Sequence, residues 1–422
     1  MLLGCIADDL TGATDLGVTL AREGLSVIQT NGVPAPAMAV PPADAVVVAL
    51  KSRTSPPDEA VAQSLAALAW LRAHGAERIY FKYCSTFDST QRGNIGPVTE
   101  ALQAALAVAP GDPPTPATPA YPRNGRTVYL GHLFVGDVLL SDSGMRNHPL
   151  TPMTDANLVR VLAAQARGKV GLVTAADIES GIAGVRRRLT ALAAAGCRHA
   201  ILDATRDEHL VAAGAACLEL PLATGGAGLA QGLARALAPR AQPGGGAWSR
   251  PQPRGPVAWL SGSCSEATRG QIAAVRDTVT AFRLDPLALA RDADHATGVA
   301  ARAIAALGDK PVLVYATADP EAVAHVQREL GVERAAMLVE GAFRRIAGAL
   351  ADAGVRAFVV AGGETAGAVV DTLGVRALAI GPEIDPGVPW TLAVGGEPHR
   401  LALKSGNFGT RDFFVKATEM LL

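Results

Sequence analysis

Along the first half of the chain, short apolar runs alternate with longer amphipathic ones. Leu2–Ala7 (LLGCIA), Asp44–Leu50 (DAVVVAL) and Arg78–Thr86 (RIYFKYCST) are nearly continuous in apolar residues and too short for stable helices. Such runs predict strands buried on both faces. Between them, TGATDLGVTLAREG (closed by Gly24), EAVAQSLAALAWLRAHG and NIGPVTEALQAALAV repeat apolar residues at helical spacing. KVGLVT and HAILDAT continue the alternation. The rhythm breaks at Ala238–Pro256 (APRAQPGGGAWSRPQPRGP), which reads as a linker, and restarts with VAWLSGS, PVLVYAT, RAFVVAGG, VRALAIG and WTLAV. The pattern predicts an α/β protein of two domains, 1–240 and 255–422, each a mainly parallel sheet flanked by helices. A Pro-rich island inside the first domain, Pro110–Pro122, reads as a loop.

Composition narrows the function classes. At 422 residues the chain exceeds one ordinary core. Hydrophobic residues make up 49% and aromatics 4%, so alanine, valine and leucine carry the interior. A formal net charge of -1 supplies no field for nucleic acid or an anionic membrane, so neither is expected as a partner. The five cysteines are scattered without C-x-x-C spacing, as expected of reduced thiols in a cytoplasmic protein. The start MLLGCIADDL lacks a basic n-region and is not expected to be a signal peptide; no apolar run reaches bilayer length.

In parallel α/β sheets, ligands gather beyond the carboxyl ends of the strands. After the first strand come Asp8 and Asp9, adjacent carboxylates that need donors, cations or substrate hydroxyls. One of them can cap the helix that follows. After the second come Lys51, Ser52, Arg53 and Thr54, where an arginine fork suits a carboxylate or phosphate. The third ends in the polar run KYCSTFDSTQRGNIG, with Lys82 inside the strand itself, then Ser85, Thr86 and Asp88. A lysine in such a strand needs an anion, and Asp88 is a fitting general base. Gly131–Asp155, with His132, Asp137, Arg146 and His148, reads as a long irregular segment. Its histidines and aspartates match no metal-ligand spacing, and no metal ligand is assigned.

Two Gly turns compete for a phosphate: LATGGAGLA (Leu222–Ala230) and VAGGETAGA (Val360–Ala368). Neither has the spacing or the lysine of a Walker A loop. The second domain adds WLSGSCSEAT, with Ser261 at the strand end and Ser265 as the natural helix cap, and LKSGNFGTRDFF, with Lys404 and Gly406. Small hydroxyl- and Gly-rich strand ends in one domain suit a nucleotide groove. One lobe for a small polar anion and one for phosphates is the division of a kinase. A dinucleotide oxidoreductase is excluded, because the first strand is followed by two aspartates and not by G-x-G-x-x-G.

The segments IADDLTGATDLG, STFDSTQRGNIGPV, GHLFVGD, SGMRNHPLTPMTD, LSGSCSEATRGQI, AGGETAG and LKSGNFGTRDFFVKA resemble the four-carbon acid sugar kinase family across nearly the whole chain. The resemblance implies an N-terminal sugar-acid-binding domain, a C-terminal ATP-binding domain and an active site in the cleft between them. It implies Mg2+-dependent transfer from ATP to the C4 hydroxyl of a four-carbon sugar acid. HPLTPMTD favours a 3-oxo-tetronate as acceptor, with D-threonate and D-erythronate as alternatives and a non-catalytic sensor as the rival from another class. Asp8, Asp9, Arg53, Lys82, Ser85 and His132 would bind the acid, with Asp88 or Asp9 as base. Ser261, the turn Gly362, Gly363, Glu364 and Thr365, and Gly406 would meet ATP. Glu364 either approaches Mg2+ or caps its helix. A homodimer is compatible with the family. Two departures stand out. Ala227 replaces a serine of the family's other Gly turn, and TPATPAYPRNGRT replaces an apolar strand, so that edge of the sheet is expected to fray or pair differently.

Overall fold

The computed structural model describes all residues except 37, 39, 149, 242–247, 249–254 and 422. Most of the expected linker therefore lies outside the described residues. The chain divides into two compact units, Met1–Ala247 and Trp248–Leu422.

The first unit contains strands β1 (Leu3–Ala7), β2 (Val27–Asn31), β3 (Ala45–Ala49), β4 (Ile79–Lys82), β5 (Thr115–Thr118), β6 (Arg126–Tyr129), β7 (His132–Val135), β8 (Val138–Leu139), β9 (Lys169–Val173), β10 (Cys197–Leu202) and β11 (Leu222–Gly225). Eight of them form a sheet in the order β2-β3-β1-β4-β11-β5-β10-β9. All its pairings are parallel. β1, β3 and β4 are buried along their length, as the continuous apolar runs require. The helix Leu10–Arg22 begins where Asp9 accepts a hydrogen bond from Gly12 N, a cap worth about 1 kcal/mol. It buries Leu10, Ala13, Leu16 and Leu20 and stops short of Gly24, whose φ of +97° a side chain would resist.

Two expectations fail here. The Pro-rich island is not simply a loop: it contains β5, which lies inside the sheet between β11 and β10. The edge expected to fray there is an interior strand. Its four residues are all buried, and the Pro116 carbonyl accepts from the Thr224 hydroxyl of β11 at 3.0 Å. A short strand with a side chain serving the ladder tolerates a proline that a longer one would not. Likewise the segment 131–155 is only partly irregular, because it contains β7 and β8, which join β6 in a small antiparallel sheet.

The second unit contains β12 (Val257–Ser261), β13 (Thr280–Arg283), β14 (Val312–Tyr315), β15 (Ala357–Ala361), β16 (Ala377–Asp385), β17 (Val388–Ala393) and β18 (Arg400–Lys404). Their order is β13-β14-β12-β15-β18-β17-β16. The first five run parallel, and β17 pairs antiparallel with both neighbours. Trp259, Trp390, Phe413 and Phe414 anchor its core. No helix among the described residues is long and apolar enough to cross a membrane.

Candidate active site

In the first unit the chain crosses from one side of β1 to the other between β3 and β4, a switch point at which a crevice forms beyond the strand ends. Ala7 pairs with Ala49 on one side and Lys82 on the other. That register brings the polar residues after β1 and β3 together with the end of β4. Arg53 donates from Nε to Asp8 Oδ2 (2.9 Å) and from Nη2 to Asp8 Oδ1 (2.8 Å) and Asp9 Oδ1 (2.7 Å). Asp9 also accepts from Gly12 N and from the Thr11 hydroxyl, each at 2.9 Å. So one aspartate does cap the helix, and both are bound to the arginine. Burial pushes the Asp8 carboxyl up, against the pull of Arg53. Burial would raise Asp9 too, but Arg53, Lys82 and the cap bonds outweigh it and hold that carboxyl below its ordinary range.

Lys82 is 2% exposed, donates to Tyr83 O at 2.8 Å and lies 4.0 Å from the Asp15 carboxylate. A side chain at Gly12 would collide with Asp9 and approach Lys82 Nζ to 3.3 Å, so glycine lets cap and cation share the space. Asn94 Nδ2 donates to Ser52 O (2.7 Å) and Ser55 O (3.2 Å), fixing the turn that carries Arg53.

Beyond β4 the backbone enters the left-handed region at Phe87 (φ 64°) and Asp88 (φ 41°). The conformation costs a bulky residue about 1–2 kcal/mol. Burial of Phe87 against the Tyr83 ring (5.4 Å between centroids) offsets the cost. Asp88 accepts from the Thr86 hydroxyl at 2.6 Å, and Oδ2 has no hydrogen-bond partner among the described residues. The Cys84 thiol sits in the field of Asp88, Arg53 and Lys82; burial first, then Asp88, pushes it up to about 11, so it stays neutral. Ser85 is half-buried on the same turn. His132 lies on β7, where Nδ1 meets Leu130 O (2.9 Å) and Nε2 meets Asn157 (3.2 Å). No described hydrogen bond ties His132 to the Asp8–Arg53 cluster.

The second unit repeats the switch point at β12, where Ser261 pairs with Ala361 and Ala361 with Lys404. The turns after β12, β15 and β18 therefore stand side by side. Ser261 is fully buried and its hydroxyl meets Thr317 Oγ1 at 2.8 Å; Thr317 in turn reaches Ser263 O at 2.8 Å. Gly362 has φ +118° and opens the helix Gly363–Thr372 without a side-chain cap, so its first N–H groups are unclaimed by one. A Cβ at Gly262 would strike the Thr365 hydroxyl, and one at Gly406 would come within 2.5 Å of Ser263 Oγ. Gly363 has open space around it, and Glu364 is exposed beside it. Next to these turns is a cavity of about 310 Å³ whose lining includes Gly262, Glu364 and Thr365, the apolar Leu284, Val326 and Val339, and the charged Arg283, Asp285 and Glu340.

The rival Gly turn is closed. A Cβ at Gly225 or Gly228 would strike the carbonyls of Thr118 and Ala120, and Tyr80 donates to Gly226 O at 2.6 Å. Its glycines serve close packing of backbone on backbone, and Ala227 is buried.

Comparison with known proteins agrees with this division. Residues 3–233 match a sugar-binding N-terminal domain and residues 258–414 a nucleotide-binding C-terminal domain. A Burkholderia multivorans protein named 3-oxo-tetronate kinase is 55% identical, covering 100% of this chain and 97% of that one. A Cupriavidus necator protein of the same name is 54% identical with the same coverage. The chain belongs to the four-carbon acid sugar kinase family. Among solved structures, a Salmonella typhimurium protein is 43% identical with a TM-score of 0.90, each chain covered to 99%. A Haemophilus influenzae protein is 44% identical with a TM-score of 0.83, covering 99% of this chain and 100% of that one.

Several residues at these two candidate sites were not singled out in the sequence. Asp15 lies among the buried positions of its helix, where a carboxylate is out of place; that is a legible signal. Thr317 follows no motif, and Thr268, the last residue of WLSGSCSEAT, carries no signal of its own; only the fold brings them to the turns.

Proposed function

We propose that this chain is an ATP-dependent kinase that phosphorylates the C4 hydroxyl of 3-oxo-tetronate, with residues 1–240 binding the sugar acid and 255–422 the nucleotide. The proposal rests on whole-length relatives that carry that name at 46–55% identity. The observation that carries its chemistry is the open ground above Gly363, flanked by the Gly262 and Gly406 turns and the adjoining cavity. The turns offer backbone N–H groups to the triphosphate, and the apolar wall suits a purine ring.

Asp88 is the better base of the two candidates. Both Asp9 oxygens already accept hydrogen bonds, whereas Asp88 keeps Oδ2 for the substrate. In this reading Asp88 takes the C4–OH proton as that oxygen attacks the terminal phosphorus of ATP and the bond to ADP breaks. Asp8 and Asp9 accept hydroxyls of the acid. Arg53 Nη1 and Lys82 face its carboxylate, and Ser85 and His132 are further contacts to test. Ser261 acts through Thr317, holding the Ser263 turn in place.

Magnesium fits the donor set only in the manner usual for kinases. No group of at least three His, Cys, Asp or Glu side chains that could hold a metal occurs among the described residues. Mg2+ needs only one or two carboxylates when phosphates supply the rest. Glu364, exposed at the cradle, is the residue that would help hold it, and the ion would neutralise charge on the transferring phosphoryl group.

A coupled ADP-release assay with 3-oxo-tetronate, D-threonate and D-erythronate tests the proposal. ADP release with the 3-oxo acid far above that with the other two is expected. Preference for a reduced acid would move the chain to another substrate within the family. Nucleotide and acid binding without ADP release from any acceptor would favour the sensor.

A further inference from the structure

Lys404 closes β18 directly beneath the third Gly turn. It is 0% exposed, and its ammonium has acceptors for all three protons: Thr268 Oγ1 at 2.9 Å, Ser405 O at 3.0 Å and Gly406 O at 3.1 Å. Gly406 O also accepts from Ser265 Oγ (2.6 Å) and Thr268 Oγ1 (2.8 Å), so it is pinned inward. In a trans peptide the C=O and the next N–H point in opposite directions. Drawing the carbonyls of Ser405 and Gly406 inward therefore turns the N–H groups of Gly406 and Asn407 outward. Two successive outward N–H groups make an anion-binding concavity.

Among the described residues no ion pair gives the lysine a counter-charge. Around it the helix Glu266–Val275 supplies Thr268, the helix Phe413–Glu419 supplies the Phe413 ring at 5.9 Å, and β15 supplies Ala361. The charged groups on its own strand and on the surrounding elements are Arg400, Glu266, Arg269, Glu364, Asp371, Glu383, Asp385, Arg411, Asp412, Lys416 and Glu419. Asp385 and Asp412 are paired with Lys416, and no described ion pair includes Lys404. A buried cation without a partner is costly and calls for an anion.

We propose that Lys404 is a positioning residue and the buried cation of the nucleotide site: it aims the Gly406 and Asn407 N–H groups at a phosphate and supplies the charge that offsets it. The inference rests on the reading of the second unit as the nucleotide site. Burial pushes the free lysine down to about 7. A phosphate favours the charged form and moves the lysine back up. Binding is then linked to protonation. Affinity is pH-independent below about 7, and falls by up to about tenfold per pH unit above it until the bound-state value is passed.

Titration calorimetry of the whole protein with MgADP, repeated at pH 8 in buffers of different ionisation enthalpy, counts the protons. Uptake approaching about one proton per nucleotide is expected, because a lysine near 7 is mostly neutral at pH 8. Lys404→Met should abolish the uptake and weaken MgADP at pH 6.5 by about tenfold or more, leaving the affinity for the sugar acid unchanged. Binding by the wild-type protein without proton uptake, and with affinity flat from pH 6.5 to 8.5, would overturn the proposal. If Lys404→Met does not fold, that wild-type count still decides. Absence of MgADP binding at every pH would instead sink the nucleotide reading of the unit.

Discussion

The two units open with the same strand order, β2-β3-β1-β4 in the first and β13-β14-β12-β15 in the second, and each gathers its candidate site at the same switch point. Their chemistry is opposite. The first brings Asp8, Asp9, Arg53 and Lys82 together at its strand ends, with Asp88 on the turn after β4, and the charges of Asp8, Asp9 and Arg53 are largely spent on one another before a ligand arrives. The second lines its strand ends with glycine and hydroxyls and hides Lys404 below the surface. The difference follows from the ligands. A small polyhydroxy acid is recognised by side chains with fixed donors and acceptors. A triphosphate is long and charged, and backbone N–H groups reach it where side chains are missing.

Breaking the charged site at its reactive end should have the largest effect. Asp88→Asn is expected to lower kcat by about 10²–10⁴ with nucleotide affinity unchanged, read by steady-state kinetics and calorimetry. A parallel loss of nucleotide affinity would show that Asp88 is not confined to the sugar-acid side. Gly406→Val fills the small-residue cradle with a side chain that meets Ser263 and Ser265. It should weaken nucleotide by about 10²–10³ while sparing the sugar acid, since it misplaces preorganised donors. Arg53→Met leaves the buried Asp8 without its fork. Chemical denaturation should show about 3 kcal/mol lost, the low end for a broken buried pair because Arg53 keeps some exposure. Ser265→Ala removes the cap on Thr268 N and one bond to Gly406 O, and should cost about 1 kcal/mol of stability.

The comparison also marks what the amino-acid sequence could reveal. Apolar strands of five or so residues announce their own ends, so Asp8, Arg53, Lys82, Asp88 and the Ser261, Gly362 and Gly406 turns could be placed from the chain alone. What Arg53 does there could not, because the fork serves either a ligand or Asp8 with equal chemical sense. The two Gly turns LATGGAGLA and VAGGETAGA look alike as text. They differ in what stands opposite them: the carbonyls of Thr118 and Ala120 close one, and nothing closes the other at Gly363. β5 was hidden by its prolines and threonines, since its place in the sheet depends on neighbours more than 80 residues away. Lys404 was visible as a letter, but its burial, with no ion pair among the described residues, is a property of the fold.

The proposed reaction transfers a phosphoryl group to the terminal hydroxyl of the four-carbon acid. It is tested most directly by proton-coupled phosphorus NMR of the product formed from ATP and 3-oxo-tetronate. A phosphate ester split into a triplet by two methylene protons is the predicted result. A doublet from a secondary carbon, or inorganic phosphate in place of any ester, would contradict the account.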